Sequence, residues 1–313
     1  TAVAEFDILA FSVSFEWDYT NILTMLRLAG VPIHASKRTA RDPLVVIGGA
    51  ITFVNPEPLA PFADVIAAGE GEELVPGLID AFREGGSRQD LLKILAGKRG
   101  FYIPSFYDVE YKADATIERF VPKEGTGAPA VVKKAELSTT ATLDPPCTQI
   151  FTPDTEFGSR FLVEVVRGCA NLCRFCWAGY NYWPPRVVPA RGILAKAAEW
   201  RGKTDKIGLV STAVCDHPEI SEILQGLRAM DYRISVSSLR LDQISDELLD
   251  ALVESRDQQI AVASIESVIA EAYKGGKVRF GEILTPPRGR ARTRRSGAGC
   301  GAPRAGGDRA EKS

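Results

Sequence analysis

The sequence predicts an α/β chain built from two successive strand–helix series, the first of Rossmann type. Three observations carry that expectation. Short apolar segments alternate with helix-like segments through residues 7–83, and the same rhythm returns through residues 159–263. At the start of the second series, a cysteine-rich loop follows directly on an apolar run. Strands of a parallel sheet read as short apolar runs, and their crossovers need helices, so this alternation argues for parallel sheets.

In the first series, Asp7–Val13 reads as a strand and Tyr19–Ala29 as a helix ended by Gly30 and Pro32. Pro43–Gly49 reads as a buried strand running into a glycine turn, where glycine serves sterics and not phosphate binding. Asp64–Gly69 reads as a third strand, followed by the acidic run Glu70-Gly71-Glu72-Glu73 and a helix through Phe82. Negative charge there suits the first turn of a helix and would repel a phosphate. Residues 1–97 are therefore expected to form one Rossmann-like domain.

Residues 98–158 read as a connecting region. Arg88–Ala96, just before it, is a short helix ended at Gly97, and Phe101–Tyr107 with the alternation through Val121 predicts a small hairpin. The Gly, Pro and Thr clusters of 122–160 predict irregular chain, and Cys147 beside Pro145-Pro146 reads as an incidental thiol.

The second series, residues 159–274, opens on Phe161–Val166, an apolar, β-branched run. Helix Ala190–Arg201, strand Lys206–Thr212, a helix from Pro218 to Met230 capped by Asp216, strand Arg233–Ser238, helix Ser245–Glu254 and strand Gln259–Ala263 follow.

Directly after the first of these strands comes Arg167-Gly168-Cys169-Ala170-Asn171-Leu172-Cys173-Arg174-Phe175-Cys176. Three thiolates at C-x3-C-x2-C spacing can each hold one corner of a cubic iron–sulfur cluster, leaving one iron open to a small molecule. The loop leaves the carboxyl end of a strand, where α/β folds place their sites. Zinc is the competing reading, but structural zinc prefers four closed ligands. Only one C-x2-C pair exists, Cys147, Cys215 and Cys300 stand singly, and His34 and His217 lack ligand spacing to the loop. Iron–sulfur is the expectation.

Composition narrows the class further. With 45% hydrophobic and 25% charged residues and a formal net charge of −2, the chain reads as globular and without a nucleic-acid-coating surface. No stretch approaches the ~18 apolar residues of a membrane span. No basic segment precedes an apolar core and cleavage site, and six cysteines with three in one loop suit metal binding in a reducing, cytoplasmic setting.

The cysteine loop resembles that of the radical SAM family, in which it follows the first strand of a partial (β/α)6 barrel. The resemblance implies that residues 159–274 form such a barrel, incomplete here, with Cys169, Cys173 and Cys176 as metal ligands. It implies a 4Fe–4S cluster that binds S-adenosylmethionine and cleaves it reductively to methionine and a 5′-deoxyadenosyl radical, for a substrate the residues do not reveal. A reductant such as flavodoxin or ferredoxin would supply the electron. Phe175 would cover the cluster or adenine edge. Ser211 and Thr212 stand where the family usually carries a Gly-Gly-Glu-like segment against the methionine amino group, and here the glutamate is missing. Ser238 and Arg240 end the third strand, and Arg240 is placed either to pair the methionine carboxylate or to bridge to Asp242. Trp177, Tyr180, Tyr182 and Trp183 would shield the loop or simply pack, and Cys215 and His217 face the same rim.

The first series, through Phe11-Ser12, Tyr19-Thr20-Asn21, Gly48-Gly49, Asn55-Pro56-Glu57-Pro58 and Gly69–Glu73, resembles the later part of the cobalamin-binding-like domain that precedes many such barrels. The cobalamin ligand motif D-x-H-x-x-G is absent, since His34 is followed by Ala35 and Ser36. Near Ser264-Ile265-Glu266 the resemblance ends, and residues 275–313 are rich in Arg, Gly and Pro, a composition expected to be disordered. A reading frame lost near residue 264, or a gene fragment, would explain it. The rival reading is a non-catalytic zinc- or iron–sulfur-binding fragment whose basic tail touches RNA.

Overall fold

The structure is a computed structural model describing residues 1–140, 144–155, 157–174, 176–239 and 243–255. The predicted strand 259–263, the Ser264–Glu266 turn and the tail lie outside the described residues, as do Phe175, Arg240 and Asp242. The chain divides into two compact units, one of Thr1–Pro146 with Asn181–Gly192, the other of Cys147–Tyr180 with the chain from Ile193 onward.

In the first unit, β1 (Ile8–Ser12), α1 (Tyr19–Leu28), β2 (Leu44–Gly48), β3 (Val65–Ala67), α2 (Gly71–Arg83) and α3 (Arg88–Ala96) follow in chain order. The sheet order is β1-β2-β3, all parallel, with Ile8 opposite Leu44 and Val46 opposite Val65. Leu44 to Ile47 are all buried, as a central parallel strand covered on both faces requires. The helices bury Ile22 and Leu26, Leu74 and Leu78, and Leu91, Leu92 and Leu95. Each such side chain taken fully from water contributes about 1.5–3 kcal/mol. Ser87 and Asp90 close α3 with a reciprocal capping box.

Two expectations change here. Phe101–Tyr107 is not the first arm of a hairpin. Its start forms β4 (Phe101–Tyr102), which pairs antiparallel with β3, and the hairpin is β5 (Tyr107–Tyr111) against β6 (Ile117–Pro122). The apolar run 101–103 is buried, and burial against β3 wins over pairing with its neighbour in sequence. Glu70 is the N-cap residue of α2, but its carboxylate turns inward to a buried partner and makes no side-chain cap. It is 6% exposed, its Oε1 is 2.6 Å from Arg186 Nη2, and its Oε2 accepts from Arg186 Nη1 (3.0 Å) and the Leu137 amide (3.1 Å). Glu72 and Glu73 do occupy the first turn.

Charge is buried elsewhere in this unit. Asp64 accepts from Arg38 (2.8 Å), Arg88 (2.7 Å) and the Val45 amide (2.8 Å), and the Arg38 side chain is fully buried. Arg38 also donates to the carbonyls of Pro32, Ile33 and Phe62, so the ion pair is hydrogen-bonded on all sides, the condition for burying charge. At the carboxyl ends of β1 and β2, Gly49 has φ +90°, and a Cβ there would lie 2.6 Å from Val13 N. The Gly48-Gly49 pair thus serves close backbone approach. Downstream, Ala135 bridges Gly69 in parallel and is buried, so residues 98–146 belong to this unit.

In the second unit, β7 (Phe161–Arg167) precedes the cysteine loop and α4 (Ala178–Asn181). The chain then passes through the two-residue β8 (Arg186–Val187), which belongs to the first unit, before α5 (Ala190–Trp200), β9 (Lys206–Ser211), α6 (Ile220–Ala229), β10 (Arg233–Val236) and α7 (Asp246–Ser255). β9 lies between β7 and β10, parallel to both, with Leu209 facing Val163 on one side and Val236 on the other. Each successive βα unit therefore adds its strand on the same side, the progression a barrel needs. Phe161, Val163, Val165, Ile207, Leu209 and Ile234 are buried with Ile193, Ile223, Leu227 and Leu252 of the helices. Phe161 stacks on Trp200 at 4.8 Å between centroids.

One helix start differs from expectation. α6 begins at Ile220 and not near Pro218, because Val214–Asp216 form a 3-10 turn first. The buried His217 follows it, its Nδ1 accepting from the Glu219 amide at 3.0 Å. Asp216 therefore does not cap the helix. Among the described residues no helix is long and apolar enough to cross a membrane.

Candidate iron–sulfur loop

β7 delivers the cysteine loop through a change of register. Its pairing with β9 shifts between Glu164 and Val166, an irregularity of the kind that re-aims a strand end beside a site. Arg167 closes back on Glu164, with Nη2 to Oε2 at 2.6 Å and Nε to Oε1 at 2.9 Å. Gly168 then turns the chain at φ +86°, and Leu172 takes a positive φ of 42° inside the loop.

Within the loop, Cys169, Cys173 and Cys176 are half-buried, whereas Ala170, Leu172 and Arg174 between them are exposed. The Cys176 amide donates to the Cys173 carbonyl at 3.0 Å, closing a tight turn over the C-x2-C pair. The far side is fastened by α4. Gly179 lies so near the loop that a Cβ would sit 3.2 Å from Leu172 N, and the Tyr180 hydroxyl donates to the Leu172 carbonyl at 2.7 Å. Tyr180 thus holds the loop by its hydroxyl, and its ring is exposed, as is that of Trp177. Tyr182 packs edge-on against Phe53 at 5.3 Å within the first unit, to which Trp183 also belongs.

Neighbouring strand ends reach the loop. The Thr212 hydroxyl, just past β9, donates to the Gly168 carbonyl at 2.7 Å. Ser211 Oγ accepts from the Ala213 amide at 2.9 Å, and Ser237 Oγ accepts from the Ser211 amide and donates to its carbonyl. Ser237 so prolongs the β9–β10 ladder by one residue with its side chain. Ser238 follows it, exposed. The sequence reading did not single out Asn171. Its Nδ2 lies 3.3 Å from Cys169 Sγ and 3.1 Å from Asp216 Oδ2. An amide inside a cysteine motif was the available signal; its partner Asp216 is 45 residues away and was assigned to a helix cap.

Among the described residues, no three His, Cys, Asp or Glu side chains converge as ligands of a single metal ion. A cubane takes one thiolate per corner, so its ligands stand apart around the cluster. The donor set, three half-buried soft thiols on one tied loop, fits such a cluster. Cys215 is half-buried in the 3-10 turn after β9, and Cys147 bridges Val163 beside β7.

Comparison with known proteins agrees with this architecture. Residues 1–104 match the family described as radical SAM proteins, N-terminal, and residues 163–273 match the radical SAM superfamily. An uncharacterized protein of Methanocaldococcus jannaschii is 28% identical over 252 residues, covering 80% of this chain and 48% of that protein. The chain thus spans about half the length of the curated relative it matches. With parallel α/β sheets, a cysteine loop at the end of β7 and both domain matches in this order, the chain belongs to the radical SAM superfamily.

Proposed function

We propose that the chain binds a 4Fe–4S cluster through Cys169, Cys173 and Cys176 and uses it to cleave S-adenosylmethionine reductively. The observation that carries this reading is the tied C-x3-C-x2-C loop at the carboxyl end of β7, the first strand of the second series. When bound and reduced, the cluster supplies one electron to the sulfonium, giving methionine and a 5′-deoxyadenosyl radical.

The chain's own residues prepare the place. Cys169, Cys173 and Cys176 would hold the cluster as thiolates, one for each of three irons, and the open iron would be free to take a small molecule. Thr212 fixes the Gly168 carbonyl and so the start of the loop, while Ser211 shapes the turn after β9. With both hydroxyls engaged in this way, Ser211 and Thr212 form the wall beside the methionine group. Ser238 follows β10 on the same side, and by the family resemblance Phe175 would cover the cluster or adenine edge and Arg240 would pair the methionine carboxylate or bridge to Asp242. The electron comes from a small reductant of the flavodoxin or ferredoxin kind, in a cytoplasmic setting.

The test is anaerobic reconstitution of the 313-residue chain with iron and sulfide, followed by iron and sulfide analysis and Mössbauer spectroscopy. A brown protein with a 4Fe–4S signature, lost in Cys173→Ala, is the expected result. Uptake of zinc alone, or of no metal, would contradict it.

A further inference from the structure

With Cys169 as a cluster ligand, the reading proposed above and the one this step rests on, Asn171 acquires a role. Its Nδ2 stands within reach of two groups, Cys169 Sγ at 3.3 Å and Asp216 Oδ2 at 3.1 Å. A thiolate and a carboxylate both only accept hydrogen bonds. The two protons of the amide nitrogen can serve both at once, and the amide oxygen can serve neither. The chemistry of the two partners therefore fixes which end of the amide faces the sulfur.

Asp216 belongs to a different strand end from the cysteines. It closes the 3-10 turn Val214–Asp216 after β9, with its amide donating to the Ala213 carbonyl at 3.1 Å. Behind it, His217 is 2% exposed and receives the Glu219 amide on Nδ1. The aim of the Asn171 amide is thus set by a hydrogen-bonded turn anchored at the buried Val214 and His217, and not by the cysteine loop alone.

We propose that Asn171, oriented by Asp216, is a positioning residue that donates a hydrogen bond to the Cys169 sulfur and raises the reduction potential of the cluster. Reduction adds negative charge that spreads onto the ligand sulfurs. An N–H aimed at one of them stabilises the reduced form more than the oxidised form, and hydrogen bonds to the sulfurs are among the terms that set such potentials. The carboxylate of Asp216 acts in the opposite sense by its charge, so its contribution through Asn171 must be separated from its contribution through space.

The experiment is an anaerobic redox titration with dithionite, followed by electron paramagnetic resonance, on the reconstituted 313-residue chain. Asn171→Ala is expected to lower the midpoint potential by about 59 mV, a tenfold change in the one-electron equilibrium. Asn171→Ser, too short to reach the sulfur but still polar, is expected to do the same and serves if the alanine variant fails to hold a cluster. The role of Asp216 is read from a double-mutant cycle, comparing Asp216→Asn with Asp216→Asn/Asn171→Ala, so that the lost charge cancels. Asparagine at 216 no longer demands the amide nitrogen, and the effect of Asn171→Ala is expected to shrink to less than half. An unchanged potential in both single Asn171 variants would overturn the role of Asn171, and an equal shift in both backgrounds would overturn that of Asp216. A wild-type chain that builds no cluster would instead remove the reading on which both rest.

Discussion

The two units use the same strand–helix grammar but finish their strand ends differently. In the first, β1 and β2 are closed by backbone pressed on backbone, Gly49 against Val13, and the charged side chains of Asp64, Arg38, Glu70 and Arg186 are buried and paired with one another. In the second, the ends of β7, β9 and β10 present hydroxyls, an amide and three half-buried thiols on short turns. Polar groups that are buried and mutually satisfied fix a fold, because removing one strands its partner. Soft donors held at half-exposure on a fastened loop are arranged to take up something else. The binding chemistry proposed for this chain accordingly belongs to the second unit.

That contrast breaks most visibly at Asp64. Asp64→Ala leaves Arg38 fully buried and Arg88 mostly buried without their carboxylate, and is expected to cost the first unit about 3–5 kcal/mol, measured by urea denaturation. A loss below 1 kcal/mol would show that the buried cluster of charges is not what fixes the first unit.

A smaller effect is expected at Thr212. Thr212→Val keeps the shape and removes the hydrogen bond to the Gly168 carbonyl, at a cost of about 1 kcal/mol. Cluster iron should then be lost to a chelator about fivefold faster, with Thr212→Ser restoring the wild-type rate. No difference between the valine and serine variants would mean that Thr212 does not fasten the loop.

The smallest effect belongs to an exposed pair in the second unit. Hydrogen bonds from the Arg233 guanidinium hold the Asp205 carboxyl below the usual carboxylate range. A lowered folded-state value means that the stabilisation is present above the ordinary carboxylate pKa and disappears as pH falls through the lowered one. Both side chains are about half exposed, so solvent screening limits the effect of Asp205→Asn to about 0.5 kcal/mol at neutral pH. Melting curves of the two proteins should converge in acid; a gap that widens there would reverse the sign.

Much of this organisation was legible in the residues. Leu44–Ile47 and Phe161–Val166 are apolar, β-branched runs whose burial follows from composition, and the C-x3-C-x2-C spacing marked its loop without any coordinates. What escaped was set by distant partners. Phe101-Tyr102 is too short to show a period, and its place beside β3 depends on packing that no local pattern encodes. Asp216 followed by Pro218 has the look of a helix start, but the buried His217 claims the Glu219 amide and delays the helix to Ile220. Glu70 sits in an acidic run, yet a partner 116 residues away turns it inward. Asn171 was hidden for the same reason, since its meaning depends on Asp216.

The most direct test of radical chemistry at the β7 loop is product analysis. The reconstituted chain is reduced with dithionite in the presence of S-adenosylmethionine, and 5′-deoxyadenosine is measured by chromatography. Formation of 5′-deoxyadenosine by the wild type and its loss in Cys173→Ala is the predicted result. A fully loaded 4Fe–4S protein that yields no 5′-deoxyadenosine, or a Cys173→Ala variant that still yields it, would contradict the account.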